Sequence, residues 1–392
     1  MAEPTIRNLG RLPGISEEER IRLGPVLEQF EFRVSPYYAE LIDWSDRTDP
    51  LRRMVLPSEE ELASVLDFDA SAEAENIRVH GVQHKYAPTV LLLVTDVCAA
   101  YCRFCFRKRF TLATSTDQHL APPEGLEDHE KETTLDISPG LAYIAEHPEV
   151  TNVLLTGGDP LILSPRRLEG ILAALREIPH VRTIRLGSKI PAFDPGRITP
   201  ALIDVLARHA LPNGKIYIMT HFTHSREITP LSVSKLTEML RAGLVLNNQA
   251  PLLRGINDDP GEIARLFGSL ADCGVTPYYL FHCRPTFGND AFMLTIQEGL
   301  KIVSEARRGL SGLAKRFRYV ASHASGKIEI LGEMQGELVL KYHEARSPED
   351  EARLFTWPAD QPIYWPEETA EPGTPPSCRP APPGSLKGQA SL

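Results

Sequence analysis

Two patterns of apolar residues follow one another along the chain. Over roughly the first 80 residues, apolar positions recur at helical spacing among many polar ones. Ser16 is followed three residues later by Glu19, and Ser58 by Glu61, which is the spacing of a capping box at the start of a helix. Residues 1–80 are therefore predicted to form a polar, helical N-terminal extension.

From Val90 onward, short β-branched runs alternate with amphipathic helical stretches. The runs are TVLLLVT, TNVLLTG, RTIRLGS, KIYIMTH, GLVLNNQAPLL, TPYYLFHC and FRYVAS. This alternation predicts an α/β fold of βαβ units with a parallel sheet, curled into a full or partial TIM-type (β/α) barrel. In such barrels, functional residues collect at the carboxyl ends of the strands.

Two segments interrupt this pattern. Residues 111–139 are polar and acidic, and we interpret them as a surface insertion. Beyond residue 346 the chain becomes rich in proline, and its end, which contains Cys378, has the composition of a disordered tail. The predicted organisation is an extension (1–80), a core (81–345) and a C-terminal extension (346–392).

Composition narrows the class of protein. The 392 residues are 42% hydrophobic and 24% charged, which is ordinary for a globular chain. A formal net charge of −10 argues against a general nucleic-acid binder. The sequence has no apolar stretch near the ~20 residues that span a bilayer, and MAEPTIRNLGRLPG lacks the apolar core of a signal peptide. We expect a cytoplasmic protein without nucleic-acid or membrane partners.

Three cysteines follow the first strand-like run. Cys98, Cys102 and Cys105 have C-x3-C-x2-C spacing, with no fourth cysteine nearby. A [4Fe–4S] electron-transfer site uses four cysteines, so three would leave one iron open to a small molecule. A structural zinc site is the alternative, but it prefers four ligands in paired spacings. The motif, with Phe104 before its last cysteine, resembles the radical S-adenosylmethionine (SAM) superfamily.

A second motif, TGGDP, follows the strand-like run VLL. Gly157 and Gly158 would let the backbone approach a ligand closely and leave N–H groups free, although glycine pairs also form ordinary turns. About fifty residues after the cysteines, the motif resembles the radical SAM glycine motif that contacts the amino and carboxylate ends of SAM. The resemblance implies this role for Gly157, Gly158 and Asp159.

A third motif is SHASGKIEILG, in which Lys327 follows the run FRYVAS. Lysine forms Schiff bases when its site lowers its pKa, but a lone lysine is more often a solvated surface residue. The strings YCRFCFRKR, VLLTGGDPLILS, THFTHSREIT, NNQAPLLRGIND, TPYYLFHC and GKIEILG occur in the order found in lysine 2,3-aminomutases, which the chain resembles over roughly residues 78–345. In that family the corresponding lysine holds pyridoxal 5′-phosphate (PLP), which implies the same role for Lys327.

The resemblance implies an isomerase with three cofactors: a [4Fe–4S] cluster, SAM and PLP. SAM cleaved at the cluster would supply a radical that takes a hydrogen from the β-carbon of an amino acid held by PLP, and the amino group would move from C2 to C3. The cofactors carry the difficult chemistry, while the protein orients them. An electron donor such as flavodoxin or ferredoxin is also implied, and a homo-oligomer is compatible with the family.

Further residues take roles from the same resemblance. Arg107, two residues after the last cysteine, matches a carboxylate-binding arginine, and a guanidinium suits a carboxylate. Its basic neighbourhood could instead offset cluster and SAM charge. His221 and Gln249 match positions that contact SAM or PLP. Thr89 replaces an arginine that binds the PLP phosphate, and Lys85 is the candidate to take over that role.

One departure from the family concerns the substrate. Lysine-specific members hold the substrate ammonium with two aspartates, whereas here Arg284 follows Cys283 and VASHASGK offers no acid before Lys327. Repulsion between Arg284 and an ammonium a few ångströms away would be on the order of several kcal/mol. We therefore expect an acidic or neutral amino acid as substrate, unless Arg284 points away or pairs with an acid such as Asp290.

Two other functions stay open from the sequence. One is a radical SAM enzyme of the same scaffold that acts on a peptide or biosynthetic intermediate without amino migration. The other is a protein that binds a cluster or metal but catalyses no reaction.

Overall fold

The computed structural model describes residues 5–108, 135–210 and 214–366, within which twelve strands form one sheet whose order follows the chain. The strands are β1 (Ile77–Val79), β2 (Val82–Tyr86), β3 (Thr89–Thr95), β4 (Asn152–Gly157), β5 (Thr183–Ser188), β6 (Ile216–Thr220), β7 (Val245–Leu252), β8 (Thr276–His282), β9 (Arg318–His323), β10 (Gly326–Met334), β11 (Glu337–Ala345) and β12 (Leu354–Pro358). The α-helices in these ranges are α1 (Glu17–Gln29), α2 (Pro36–Glu40), α3 (Pro50–Val55), α4 (Ser138–Glu146), α5 (Pro165–Arg176), α6 (Ile190–Phe193), α7 (Pro200–Arg208), α8 (Pro230–Arg241), α9 (Pro260–Asp272) and α10 (Ile296–Arg308).

Strands β3 to β9 pair in parallel and correspond one by one to the seven runs predicted from the sequence. Helices between them begin with a recurring local signal, a capping side chain followed by proline at the first helical position. The pairs are Ser164–Pro165, Thr199–Pro200, Thr229–Pro230 and Asp259–Pro260. The predicted α/β class and parallel sheet are confirmed.

Antiparallel strands flank the parallel ones. The β1–β2 hairpin precedes β3, and strands β10 to β12 follow β9. Lys85 on β2 donates to the carbonyl of His323 on β9, so the two sides of the parallel unit approach each other. The sheet is therefore curled into a partial barrel. Residues 111–134 of the predicted insertion and residues 367–392 of the predicted tail lie outside the described residues.

The N-terminal extension contains α1 to α3 and three short 3₁₀ turns, Leu9–Arg11, Glu59–Ala63 and Glu73–Asn76. The Ser16 hydroxyl accepts the Glu19 N–H as predicted, but the Glu19 carboxylate binds Arg52 at 2.7 Å instead of completing the box. The Ser58–Glu61 box does form, although on a 3₁₀ turn and not on an α-helix. In the ranges that the structure covers, no helix is long and apolar enough to cross a membrane.

The extension forms buried ion pairs with the segment that carries the three cysteines, residues 96–108, which we call the cysteine loop. Arg103 donates to both carboxylate oxygens of Glu61, from Nε at 2.9 Å and from Nη2 at 2.6 Å. Lys108 lies 3.6 Å from the same carboxylate, and all three side chains are almost fully buried. Arg103 also stacks on the rings of Phe30 and Tyr101.

Glu61→Gln should destabilise the protein strongly, because it leaves two buried cations without their anion. We expect a loss of about 3–5 kcal/mol in the free energy of unfolding, measured by guanidinium chloride denaturation of the cofactor-free protein. Glu59→Gln is the matched control, since Glu59 pairs with Arg22 at the exposed surface and should cost at most about 1 kcal/mol. Equal losses in the two variants would contradict the importance of the buried network.

Candidate active site

One cavity of about 330 Å³ opens at the carboxyl ends of the parallel strands. Every site residue predicted from the sequence lines it: Lys85, Cys98, Cys102, Cys105, Arg107, Gly157, Gly158, Asp159, His221, Gln249, Arg284 and Lys327. They come from β2, β4, β7 and β10 and from the loops that follow β3, β4, β6 and β8. The barrel thus brings together residues separated by up to 242 positions, from Lys85 to Lys327.

The three cysteines share one wall of this cavity. Arg33 of the extension donates to the Cys98 carbonyl at 2.9 Å, and the Cys105 N–H donates to the Cys102 carbonyl at 3.0 Å. Burial raises the pKa of all three thiols, that of Cys102 to about 12, whereas a bound metal would favour the thiolate.

Within the described residues, no three His, Cys, Asp or Glu side chains converge on a single metal ion. A [4Fe–4S] cluster does not require this convergence, because each cysteine binds a different iron. Three half-buried thiols on one cavity wall therefore fit a cluster better than a mononuclear ion.

The glycines of TGGDP serve a close approach between two backbones. A Cβ atom on Gly158 would lie 2.2 Å from the Val97 carbonyl oxygen, and one on Gly157 would lie 2.2 Å from the Thr95 carbonyl oxygen. The Gly158 N–H donates to the Thr95 carbonyl at 2.6 Å, so the expectation that both glycine N–H groups would be free is wrong for Gly158. The motif holds the cysteine loop against the end of β4.

Asp159 is buried beside the cysteine loop, and its carboxylate accepts backbone N–H groups. It receives Leu161 N–H at 3.0 Å, Lys189 N–H at 2.6 Å and Ile190 N–H at 3.1 Å. These bonds fix the loops after β4 and β5 relative to each other. Burial nevertheless raises the pKa of Asp159, against the opposing effect of the hydrogen bonds.

His221 and Gln249 meet directly across neighbouring strands. The Nε2 atoms of His221 and Gln249 lie 2.7 Å apart. Burial, assisted by the charges of Lys189 and Arg107, lowers the pKa of His221 to about 3. His221 is therefore neutral at physiological pH, and its ring is available for a hydrogen bond without adding charge to the cavity.

Lys327 lies deep in the cavity between aromatic rings. Its Nζ lies 4.4 Å from the ring centre of Tyr86 and 5.8 Å from that of Tyr279, and it pairs with Glu344 on β11. Burial lowers the pKa of Lys327 while Glu344 raises it. A buried lysine flanked by aromatic faces is a suitable Schiff-base nucleophile, so the site fits PLP.

Two further cations in the cavity could hold a phosphate. Burial, with the charges of Arg284 and Lys327, lowers the pKa of Lys85 to about 7. Arg185 on β5 lines the same cavity and donates to the Asn152 amide oxygen at 2.9 Å. Thr89 also lines the cavity.

Arg107 and Arg284 face the cavity side by side and share a carboxylate. Glu73, in the 3₁₀ turn before β1, places one oxygen 3.5 Å from Arg107 Nε and the other 3.4 Å from Arg284 Nη1. Arg107 also donates to Thr156 at 2.6 Å, and Arg284 to Ser322 at 2.7 Å. Arg284 therefore points into the cavity, with Glu73 as its acidic partner instead of Asp290.

Sequence reasoning missed several residues of the site. Lys189, directly after β5, pairs with the fully buried Glu227 at 2.8 Å, and its position at the end of a strand was a usable signal. Arg185 belongs to the less buried of the two alternating sets of residues on β5, the set that lines the cavity, and this alternation was also a usable signal. Glu73 has no comparable signal, because it lies in the turn before β1 and not after a parallel strand.

An open parallel barrel with three cysteines at its mouth defines a radical SAM enzyme. A scan against known family profiles finds no match. The chain is 44% identical to a putative L-lysine 2,3-aminomutase of Aquifex aeolicus, over 91% of this chain and 92% of the relative. It is 38% identical to an L-lysine 2,3-aminomutase of Fusobacterium nucleatum, over 83% and 73% of the two chains.

The chain is also 34% identical to a glutamate 2,3-aminomutase of Clostridioides difficile, over 79% of this chain and 69% of the relative. Among solved structures, a radical SAM methyltransferase from Sphaerobacter thermophilus is 17% identical with a TM-score of 0.38, over 59% of this chain and 66% of that one. The chain belongs to the lysine 2,3-aminomutase family of isomerases. Membership of this family implies a [4Fe–4S] cluster, SAM and PLP.

Gly158→Ala should prevent the cysteine loop from closing on β4, because the added methyl group collides with the Val97 carbonyl. We expect a stability loss of about 1–3 kcal/mol and a lower iron content after anaerobic reconstitution. Gly170→Ala is the matched control: nothing lies within 4 Å of its Cβ position in α5, so helix propensity should raise stability by up to about 1 kcal/mol. Unchanged stability and iron content in Gly158→Ala would contradict this role of the glycine.

Proposed function

We propose that this enzyme moves the amino group of an acidic or neutral amino acid from C2 to C3, and that lysine is not its substrate. The observation that carries the proposal is the buried guanidinium of Arg284, which faces the same cavity as Lys327 and the cysteines. A cation at this place repels the side-chain ammonium of lysine and attracts a carboxylate.

In this proposal the cavity holds three cofactors at separate walls. Cys98, Cys102 and Cys105 bind the cluster, with SAM beside Gly157 to Asp159. Lys327 holds PLP, and Lys85 and Arg185 bind its phosphate. When bound, the cluster and SAM supply hydrogen abstraction, while PLP carries the migrating nitrogen.

The protein's own residues bind, orient and enclose the substrate. Arg107 binds the α-carboxylate; its bond to Thr156 fixes the plane of the guanidinium. Tyr86 and Tyr279 form apolar walls beside Lys327 that exclude water from the reacting atoms. Neutral His221, paired with Gln249, provides polar contacts without charge.

The charge of the cavity favours anions. Of the described residues that line it, six are basic (Lys85, Arg107, Arg185, Lys189, Arg284 and Lys327) and two are acidic (Glu73 and Asp159), while Glu227 pairs with Lys189 and Glu344 with Lys327. The Asp159 carboxylate already accepts hydrogen bonds from backbone N–H groups. Glu73 is the lining acid that contacts Arg107 and Arg284. Because relatives named for lysine and for glutamate both match this chain, overall similarity does not choose the substrate, and the proposal is supported instead by the charge of Arg284.

A substrate panel tests this assignment. Reduced enzyme with SAM and PLP is incubated separately with glutamate, aspartate, alanine and lysine, and β-amino acids are quantified by mass spectrometry. We expect product from an acidic or neutral amino acid and at least about tenfold less from lysine, the ratio that about 1.4 kcal/mol of repulsion gives. Turnover of lysine alone would refute the reading of Arg284. Formation of 5′-deoxyadenosine with a substrate but without any β-amino acid would favour an enzyme without amino migration.

Borohydride reduction identifies the lysine that holds PLP, since three lysines, Lys85, Lys189 and Lys327, line the cavity. We expect the pyridoxyl label on the peptide that contains Lys327, and its absence in Lys327→Ala. In Lys85→Met the label should stay on Lys327, while PLP binds roughly tenfold or more weakly because a phosphate-binding cation is missing. A label on Lys85 in the unmodified enzyme would exchange the two assignments.

A further inference from the structure

Glu73 occupies the centre of the substrate-binding region that the two arginines define. Its carboxylate contacts Arg107 with one oxygen and Arg284 with the other. The three side chains are only 11%, 11% and 16% exposed, for Glu73, Arg107 and Arg284 respectively. The Glu73 carboxylate is the same chemical group as the carboxylates of the amino acids that the two arginines would bind.

The contacts of Glu73 with the arginines are loose compared with a structural ion pair of the same protein. Arg103 holds Glu61 through two hydrogen bonds of 2.9 and 2.6 Å, whereas Glu73 lies 3.5 and 3.4 Å from the two guanidinium groups. Charge-assisted hydrogen bonds are normally about 2.7–2.9 Å long. The two arginines are therefore neutralised by Glu73 but only partly hydrogen-bonded by it.

The backbone that presents Glu73 is fixed from both sides. Asp69 accepts the Glu73 N–H at 2.7 Å, and Ser71 donates to the Ser322 carbonyl at 2.9 Å. Ala72, directly before Glu73, has a left-handed backbone (φ +48°, ψ +44°), which costs a non-glycine residue about 1–2 kcal/mol. Strain of this kind is retained at functional sites when the surrounding structure enforces it. The Ser322 hydroxyl also accepts a hydrogen bond from Arg284 Nη2 at 2.7 Å. The turn and Arg284 are therefore both hydrogen-bonded to the same residue of β9.

We propose that Glu73 is a specificity-determining residue whose carboxylate stands in for the side-chain carboxylate of a dicarboxylic amino acid, and that this substrate displaces it from Arg284. The inference rests on the proposed function and names its substrate class. A dicarboxylic amino acid brings one carboxylate for each arginine, and each can make the short paired bonds that Glu73 does not. Glu73 would then be a third anion beside two arginines, which is unfavourable at this burial.

A neutral amino acid has no second carboxylate and therefore affects the contacts of Glu73 differently. Its single carboxylate binds Arg107, and Glu73 keeps its contact with Arg284. Glu73 therefore competes with an acidic amino acid at both arginines but with a neutral one only at Arg107, so it weakens the binding of acidic substrates more. This difference separates a specificity role from a merely structural one.

Glu73→Gln tests the proposal, because glutamine keeps the shape and removes the charge. Amino-acid binding is measured without SAM, from the absorbance change of enzyme-bound PLP on titration with glutamate, alanine or lysine. We expect the Kd for glutamate to fall about ten- to a hundredfold, the range that one or two charge-assisted hydrogen bonds provide, and the Kd for alanine to fall clearly less, because alanine has no second carboxylate for Arg284. Steady-state KM for glutamate should fall with little change in kcat, since displacement of Glu73 precedes the chemistry.

Glu75→Gln is the matched control: Glu75 lies in the same turn but pairs with Arg346 at the surface, 2.8 Å away. It should leave all three affinities unchanged. Glu73→Ala serves as a second variant, with circular dichroism and PLP content as checks of folding, and it should also tighten glutamate relative to alanine.

The outcomes separate this inference from the function on which it rests. If the unmodified enzyme accepts glutamate but Glu73→Gln binds it equally or more weakly, the role of Glu73 is refuted and the function stands. If the unmodified enzyme turns over lysine alone, the proposed substrate class is refuted. Loss of lysine binding in Glu73→Gln would then make Glu73 the ligand of the substrate ammonium, which overturns this inference as well.

Discussion

Three charges, on Glu61, Arg103 and Lys108, are withdrawn from water at the base of the cysteine loop, and the position of the loop depends on them. Burying each ion costs several kcal/mol, which only good geometry and additional hydrogen bonds can offset. Here the offset comes from the two-pronged Arg103–Glu61 contact and from the stacking of Arg103 on Phe30 and Tyr101. A position of the loop that separated Arg103 or Lys108 from Glu61 would leave a buried charge without a partner. The loop therefore has few alternative positions.

The same network extends to the other side of the cavity. Lys108 donates to the Phe287 carbonyl at 3.0 Å, and the Phe287 ring stacks on Phe68 of the extension with centroids 4.4 Å apart. Five residues beyond Phe68 the chain reaches Glu73 between the two arginines. The N-terminal extension thus contributes to both ends of the site: it fixes the cysteine loop through Glu61 and places an acid against Arg107 and Arg284 through Glu73.

The barrel could be predicted well from the sequence because its signals are local. The parallel strands are buried apolar runs with helices between them, and both patterns are visible without any partner. The rule that functional residues follow strands is enough to group the cysteines, Arg107, His221 and Arg284 at one end of the barrel. Lys189 and Arg185 obey the same spatial logic, and a fuller reading of strand ends and inward positions would find them.

Other features depend on contacts that no local pattern encodes. The contact between Glu73 and Arg284 spans 211 positions, and the 3₁₀ turn that carries Glu73 resembles any polar connection. The glycines were predicted, but for a different reason: their lack of a side chain allows β4 to meet the cysteine loop, and this is a requirement of packing before it is one of ligand binding. The Glu19 carboxylate similarly does not complete the predicted capping box. It binds Arg52 instead, because a buried arginine requires an anionic partner.

The buried ion pairs of the cavity differ in how completely the cation is hydrogen-bonded. This difference indicates which cations can gain most from a bound anion. Lys189 is satisfied by Glu227, by Thr223 and by the His221 carbonyl, all within 3.0 Å, so it has little to gain from a ligand. Arg107 and Arg284 are almost as deeply buried, yet they share one carboxylate at 3.4–3.5 Å. Their desolvation cost is only partly offset in the ligand-free protein. An anion that completes their hydrogen bonds would offset more of this cost, and the proposed role of the two arginines in selecting the substrate follows from that difference.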